Sequence, residues 1–323
     1  MSDDRTLVEK LRAAEWVSGE GLAAGLGVTR AAVGKRVAAL RARGFVIEAR
    51  AHRGYHLRAV PDTLEPAVLG PLLRTRWAGR PLEWMARTGS TSDRAAERAR
   101  AGAPQGLVVV AEAQERGRGR AGRSWFSPPG RGIYLSLLVR PTLPPVALPP
   151  LALAMGVAAR EALAELGVAV DLKWPNDLLA RGRKLGGILI EMASELERTS
   201  HVIVGVGLNV NLSADELPEA LRASATSMSI EAGRSFARAP VAAALLGRLE
   251  DWFERFVAEG PAPAARAFRE AAGAILGRQV RVRVAEGQSL LEGVAEDVGE
   301  DGSLLLRDRA GGLRRVGAGE VFL

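Results

Sequence analysis

Two apolar runs, Leu107-Val108-Val109-Val110-Ala111 and Ile133-Tyr134-Leu135-Ser136-Leu137-Leu138-Val139, flank the segment QERGRGRAGRSWFS from Gln114 to Ser127. Runs of this length and apolarity read as buried strands. The segment between them cannot join that interior, because it sets Arg116, Arg118, Arg120 and Arg123 among Gly117, Gly119 and Gly122. The chain must therefore build a sheet that carries a long charged loop outside its core. Guanidinium groups meet carboxylate or phosphate oxygens in a two-pronged way, and glycine lets the backbone approach a ligand closely. The loop reads as an anion-binding site on a rigid scaffold. An exposed Gly/Arg segment that binds RNA without specificity has the same composition.

The chain in front of this sheet is different. Leu7, Leu11 and Ala14 recur at helical spacing and predict a first short helix. Ser18 caps a second, with Leu22 and Leu26 inward, and Gly25-Leu26-Gly27-Val28 makes a tight turn. Thr29 begins a third helix whose buried stripe is Val33, Val37 and Leu40, and Gly44 ends it. Residues 45–50 and 54–57 read as a hairpin. Three short helices and a hairpin predict a winged helix-turn-helix, with the third helix in a DNA major groove. Arg30, Lys35 and Arg36 then hold phosphates and Ala31 touches a thymine methyl, while Arg50, His52 and Arg53 of the wing meet the DNA backbone. Charge agrees, since residues 1–60 carry 11 Lys and Arg against 6 Asp and Glu while the whole chain is only +7. The alternative is a helical protein-interaction domain with a solvated basic face.

Pro61 to Pro66 reads as a linker. Beyond it, residues 82–86 predict a strand and residues 94–101 a helix, with Gly89-Ser90-Thr91-Ser92-Asp93 between them. Those hydroxyls either cap the helix or bond a neutral polar ligand group. A core helix is expected over residues 148–166. Lys173 sits in a short strand directly before Trp174-Pro175-Asn176-Asp177. A lysine withdrawn from water needs an anion, and the oxygens that follow suit Mg²⁺ or a ribose, although Pro-Asn-Asp is also ordinary turn chemistry. Strands over 183–191 and 202–211 are interrupted by Gly186, Gly187, Gly205 and Gly207, which marks close approach of a ligand or another backbone. Neither a dinucleotide fingerprint nor a P-loop is present. Trp252, Phe253 and Phe256 belong to the core on a helix over 240–258. From about residue 275, short strands with Asp-Gly and Gly-Gly turns predict a small β-barrel.

The chain has no cysteine, which removes disulfides, thiolate metal ligands and a thioester on the protein itself. Its three histidines do not point to a histidine-built metal site. There is no signal-peptide pattern and no apolar run long enough to span a bilayer, so a cytoplasmic protein without a membrane role is expected.

Taken in order, G-S-T-S-D, Q-x-x-G-R-G-R-x-G-R-x-W-x-S-P, K-W-P-N-D, K-L-G-G-I-L-I-E and G-x-G-x-N closely resemble the motifs of biotin–protein ligases. With the helix-turn-helix in front, the chain resembles the bifunctional type that is also the biotin operon repressor. The resemblance covers essentially the whole chain. It implies an α+β architecture: a winged helix-turn-helix over 1–61, a mixed α/β ligase domain similar to class II aminoacyl-tRNA synthetases over 67–272, and an SH3-like β-barrel over 275–323. It implies activation of biotin by ATP with Mg²⁺ to biotinyl-5′-AMP, then transfer to a lysine of the biotin carboxyl carrier protein of acetyl-CoA carboxylase. Operator DNA and a homodimer in the adenylate-bound form are the other implied partners.

On that resemblance Lys173, Arg118 and Arg120 are the catalytic candidates. Ser90, Thr91, Ser92, Gln114, Gly119, Gly186, Gly187, Gly205 and Gly207 join them around biotin. Arg123, Trp125, Asn176 and Asn209 join the two arginines around ATP and the adenylate, and the two asparagines are also the metal candidates. Two positions depart from the pattern: Ser92 stands where the S-T-N form has Asn, and Ala121 where the G-R-G-R-R-G-R form has Arg. A lipoate ligase shares the body plan and the adenylate chemistry. A catalytically silent, ligand-sensing transcription factor is the reading from another class.

Overall fold

The structure is a computed structural model that describes residues 2–195, 198–284 and 290–322. The head is organised by its helix caps. Ser18 and Thr29 accept the backbone N–H of Gly21 at 2.9 Å and of Ala32 at 3.2 Å. They thereby start α2 (Gly19–Leu26) and α3 (Arg30–Ala42), after α1 (Ser2–Arg12). A hydroxyl at this position satisfies an amide that the first helical turn leaves unpaired. Gly27 closes α2 with φ 65°, a left-handed turn in which a side chain is strained. Leu7, Leu11, Leu22, Val33, Val37 and Leu40 meet in a core at most 2% exposed. Ala14 does not join it, because α1 stops at Arg12 and leaves Ala14 exposed. The wing is the antiparallel pair β1 (Val46–Arg50) and β2 (Gly54–Ala59).

The expected linker is firmly bound rather than a free tether. Leu64 is fully buried, and Asp62 and Thr63 bond side chains of the body before α4 (Pro66–Leu69) begins.

The body is built on a seven-stranded sheet. Its strands are β3 (Leu82–Met85), β4 (Val108–Ala111), β5 (Gly132–Val139), β6 (Asp171–Lys173), β7 (Asp177–Ala180), β8 (Arg183–Glu195) and β9 (Arg198–Asn209). Their order is β3-β4-β5-β9-β8-β7-β6, and every neighbouring pair is antiparallel except β3 with β4. Strands β4 and β5 are buried at every position, as apolar runs covered on both faces must be. Alternate residues serve opposite faces. Val109, Leu138 and Ile203 pack with Ala95 and Ala99 of α5 (Thr91–Arg100). Val108, Val110, Leu135 and Leu137 face the main core with α6 (Leu151–Glu165), α8 (Arg238–Glu259) and α9 (Ala262–Ala271). The short α7 (Met228–Ala232) precedes α8. Trp252, Phe253 and Phe256 are core residues of α8.

Helix α5 begins at Thr91, three residues before the expected start, and places Thr91 and Ser92 in its first turn. Ser90 holds the cap position without making a capping bond, so helix capping does not explain its hydroxyl. The surface-turn reading of Trp174-Pro175-Asn176-Asp177 also fails, since Trp174 is 1% exposed and its Nε1 donates to Gly302 O at 2.8 Å. That bond reaches the C-terminal unit, where β10 (Gln279–Val284), β11 (Leu290–Val298), β12 (Leu304–Arg307), β13 (Leu313–Val316) and β14 (Gly319–Phe322) form an antiparallel sheet. Its order is β13-β12-β11-β10-β14. Strand β14 was not foreseen, because Gly-Glu-Val-Phe is too short to show alternation.

Candidate active site

A cavity of about 650 Å³ lies against β5, β8 and β9. The start of α5, the 114–127 loop, Lys173 to Asp177 and β14 enclose it. Every residue that the resemblance put around biotin, ATP or the adenylate lines it, except Gly186. A Cβ on Gly186 would come within 2.9 Å of Gly207 O and 3.0 Å of Leu178 Cδ1, so Gly186 is a strand-packing position. Gly187 faces the cavity instead, opposite Gly207 in the ladder. A Cβ on Gly207 would stand 2.6 Å from the Trp125 ring. Only a bare backbone there lets the indole lie on the strand.

One end of the cavity is a network of neutral polar groups. Gln114 Oε1 accepts the Thr91 N–H at 2.9 Å and its hydroxyl at 3.2 Å, while Gln114 Nε2 donates to Ser127 Oγ at 3.0 Å. Beneath them, Ser136 Oγ donates to Thr91 Oγ1 at 2.9 Å and lies 3.1 Å from Ser92 Oγ. Ser136 is wholly buried and was missed in the sequence. Its signal was a lone hydroxyl in an otherwise apolar run. The short Ser92 side chain reaches Ser136 and sits 3.0 Å from where a Cβ on Gly205 would be. The Asn of the usual motif is longer.

The other end is cationic. Lys184 Nζ lies 2.6 Å from Asp177 Oδ1, and Lys173 Nζ lies 3.4 Å from Asp177 Oδ2 while donating to Val321 O at 3.2 Å. Lys184 also stands 5.6 Å from the Trp125 ring centroid. Lys184 opens the K-L-G-G-I-L-I-E motif, and nothing in that pattern marks it as a site residue. Arg118 stands apart from this cluster, beside the start of α5, with its Nη2 2.9 Å from both Asp93 Oδ1 and Glu191 Oε2. Burial pushes the Glu191 carboxyl above its ordinary range, with Arg118 opposing. Arg120 Nη1 donates to Gly319 O at 3.2 Å, and Arg123 pairs with Glu320. Burial draws the Arg120 guanidinium below its usual range, with Asp177 opposing. The loop tip turns through Ala121 at φ 54° and Gly122 at φ 72°. Trp125 Nε1 is buried without a hydrogen-bond partner among the described residues.

The amide nitrogens of Asn176 and Asn209 donate to Ile188 O and, at 2.9 Å, to Thr226 O. These bonds fix both side chains beside the cavity. Among the described residues no three His, Asp or Glu side chains gather as a metal cage. His52 and His56 are four residues apart, but His52 sits in the wing turn at φ 63° and His56 packs edge-on against Trp16.

On the head, Arg30, Ala31 and Lys35 lie exposed along α3 and Arg36 is half-buried. The Arg50 and Arg53 guanidiniums sit 5.1 and 5.5 Å from the Trp16 ring centroid. Trp16 therefore holds the two wing cations, a role with no local sequence pattern. No helix is long and apolar enough to cross a membrane.

Residues 84–209 match the biotin/lipoate A/B protein ligase family, residues 4–56 an HTH domain and residues 275–323 the biotin protein ligase C-terminal domain. The bifunctional ligase/repressor BirA of Bacillus subtilis is 35% identical, over 96% of this chain and 94% of its own. Its counterpart in Escherichia coli is 32% identical, over 98% and 96%. The biotin protein ligase of Aquifex aeolicus, solved in complex with biotin and ATP, superposes with a TM-score of 0.64 at 28% identity, over 75% of this chain and 97% of its own.

Proposed function

The chain belongs to the biotin protein ligase family, in its bifunctional ligase/repressor form, and from that premise we propose how its own residues carry the reaction. It is an ATP-dependent biotin ligase joined to a DNA-binding repressor head. In the first step an oxygen of the biotin carboxylate attacks the α-phosphorus of ATP. The bond to the β-phosphate bridge breaks and pyrophosphate leaves. Two anions must meet, so fixed cations are the main requirement. Lys173 and Lys184 supply them from the strand side, and Arg118 and Arg120 from the loop. The uncharged ring of biotin takes the other end, against Ser90, Thr91, Ser92 and Gln114. Trp125 offers its ring and its unpaired N–H to the adenylate, Arg123 takes the distal phosphates, and Asn176 and Asn209 border the phosphate path.

In the second step the neutral amine of a lysine on a biotin carboxyl carrier protein attacks the acyl carbon, and AMP leaves. The same two lysines stabilise the departing phosphate. Mg²⁺ enters as part of the MgATP substrate, because Asp177 is already paired with both lysines and the asparagines alone do not make a resident metal site. In the head, Arg30, Ala31, Lys35 and Arg36 face operator DNA, with Arg50 and Arg53 on its backbone, and the adenylate-bound form acts as a homodimer.

The observation that carries this reading is one cavity lined by a neutral hydroxyl–amide network beside α5 and by Lys173, Lys184, Arg120 and Arg123 around Asp177 and β14. Mass spectrometry of a carrier domain incubated with the protein, biotin and MgATP tests it. The expected result is one added biotin on one lysine. No added mass, or mass added only from lipoate, contradicts it.

A further inference from the structure

Glu112 lies where β4 runs out toward the loop, two residues before Gln114. Its backbone is fixed on both sides, with its N–H on Met85 O at 3.0 Å and its carbonyl accepting the Gly130 N–H at 3.3 Å. Its side chain serves a different part of the molecule. Oε1 accepts the Thr63 hydroxyl at 2.7 Å, the Leu64 N–H at 2.8 Å and the Trp84 Nε1–H at 2.9 Å. Oε2 lies 2.7 Å from Arg238 Nη1. Arg238, 1% exposed, also donates from Nε to Asp62 Oδ2 at 3.0 Å, from its backbone N–H to Asp62 Oδ1 at 2.8 Å, and to Gly132 O at 3.3 Å, where β5 begins. Residues 62–64 are the chain that leads back to the DNA-binding head.

A single carboxylate, 14% exposed, thus joins the root of the catalytic loop to the linker. Burial alone would push its proton affinity up, but the donors from Leu64, Trp84, Arg238 and Thr63 bring it net below the ordinary range, so it stays charged. Arg238 is the buried charge of this network, and a buried charge left without its partners is strongly penalised. The linker is then either docked on Glu112 and Arg238 or released, which is the two-state element that coupling between distant sites requires.

We propose that Glu112 is a positioning residue through which ligand-induced ordering of the loop sets whether residues 62–64 are docked, and so sets the DNA affinity of the head. The proposal rests on the ligase/repressor reading above. Substituting Glu112 itself risks unfolding around Arg238, so the test is made from the linker side. Asp62→Asn with Thr63→Val removes the Asp62 charge and the Thr63 hydroxyl and leaves Glu112, Arg238 and the cavity intact. The full chain is assayed for pyrophosphate release, for biotin transfer, and for affinity toward duplexes that the unaltered chain selects from a random pool, with and without biotin and MgATP. Hydrogen exchange at the Leu64 amide is followed in the same samples.

In the unaltered chain, ligand should raise DNA affinity on the order of tenfold and change Leu64 exchange. In the double variant the gain should fall to about twofold or less, with kcat and KM for ligation within about twofold. A merely structural role would not erase the ligand dependence selectively. A double variant that keeps the full gain overturns the proposal. Pyrophosphate release without any DNA gain in the unaltered chain overturns it together with the repressor reading, while absence of pyrophosphate overturns the ligase reading from which both follow.

Discussion

The floor and the lid of the same cavity are held by different forces. The floor is backbone: β5 pairs with β9 residue by residue from Gly132–Asn209 to Val139–Val202, and β9 pairs with β8 along its length. Its glycines are fixed by what lies behind and above them. The tip of the lid, residues 114–127, closes on itself through the Gly119 N–H on Arg123 O at 2.7 Å and the Trp125 N–H on Gly117 O at 2.8 Å, and side-chain ion pairs tie it to the rest of the body. Arg118 and Arg123 are 39% and 52% exposed and pair with Asp93, Glu191 and Glu320. Exposed pairs of this kind contribute about 0–1 kcal/mol each and are screened by salt. The carboxylates on the lid are therefore partners that a ligand's carboxylate or phosphate can replace at little cost. Rigidity beneath the reacting atoms and exchangeable charge above them let one site be both preorganised and open to its substrates.

The comparison breaks most visibly at the two lysines. Lys184→Ala is expected to lower the rate of pyrophosphate release on the order of 10²-fold or more, with no change in thermal midpoint. Lys173→Ala should follow it, with a smaller loss because its ammonium is shared with Val321 O. Full pyrophosphate release by either variant removes that lysine from the reaction.

Two glycines separate floor from lid next. Gly186→Ala drives a methyl against Gly207 O, a backbone atom that cannot yield, and should destabilise the body by about 1–3 kcal/mol in a denaturant titration. Gly207→Ala meets the side chain of Trp125 first and should displace it, leaving stability within about 0.5 kcal/mol but abolishing the tryptophan fluorescence response to biotin and MgATP. Equal destabilisation by the two would erase the distinction.

Lid charges give smaller effects. Glu320→Gln should lower KM for ATP by about threefold by freeing Arg123, and the difference should vanish in 1 M salt, where the Debye length is only about 3 Å. A KM that stays the same or rises would show that Glu320 does not compete with the nucleotide.

The smallest effect is in pH. Burial raises Glu191 above its ordinary value of 4.5. In the window between that value and the raised one, the folded protein binds a proton that the unfolded chain does not, so this group favours folding more as pH falls. Glu191→Gln should flatten that part of the stability–pH profile by a small amount, because the side chain is 34% exposed. An unchanged slope would mean that Glu191 keeps its ordinary pKa.

Floor and lid also differ in how legible they were. The strands under the cavity announced themselves as apolar runs, the head through Ser18, Thr29 and the stripe Val33, Val37, Leu40, and the lid through its own composition. Adjacent strand residues face opposite sides, so only one of Gly186 and Gly187 could face a ligand, but the side depends on register. Lys184 was hidden inside a strand motif. The cover that β14 provides was invisible, because Lys173 and Arg120 reach backbone carbonyls of Val321 and Gly319, which any sequence would supply. The docked linker depends on Arg238, 176 residues from Asp62 along the chain. Pairings at that distance leave no local pattern.

Hydrogen exchange of the full chain, with and without biotin and MgATP, tests the central claim most directly. The account predicts that amides of β5, β8 and β9 exchange slowly in both conditions, while those of Gly119, Arg123 and Trp125, which are bonded only within the loop itself, gain protection with both ligands. Lid amides equally protected without ligand, or floor strands that change with it, would contradict the account.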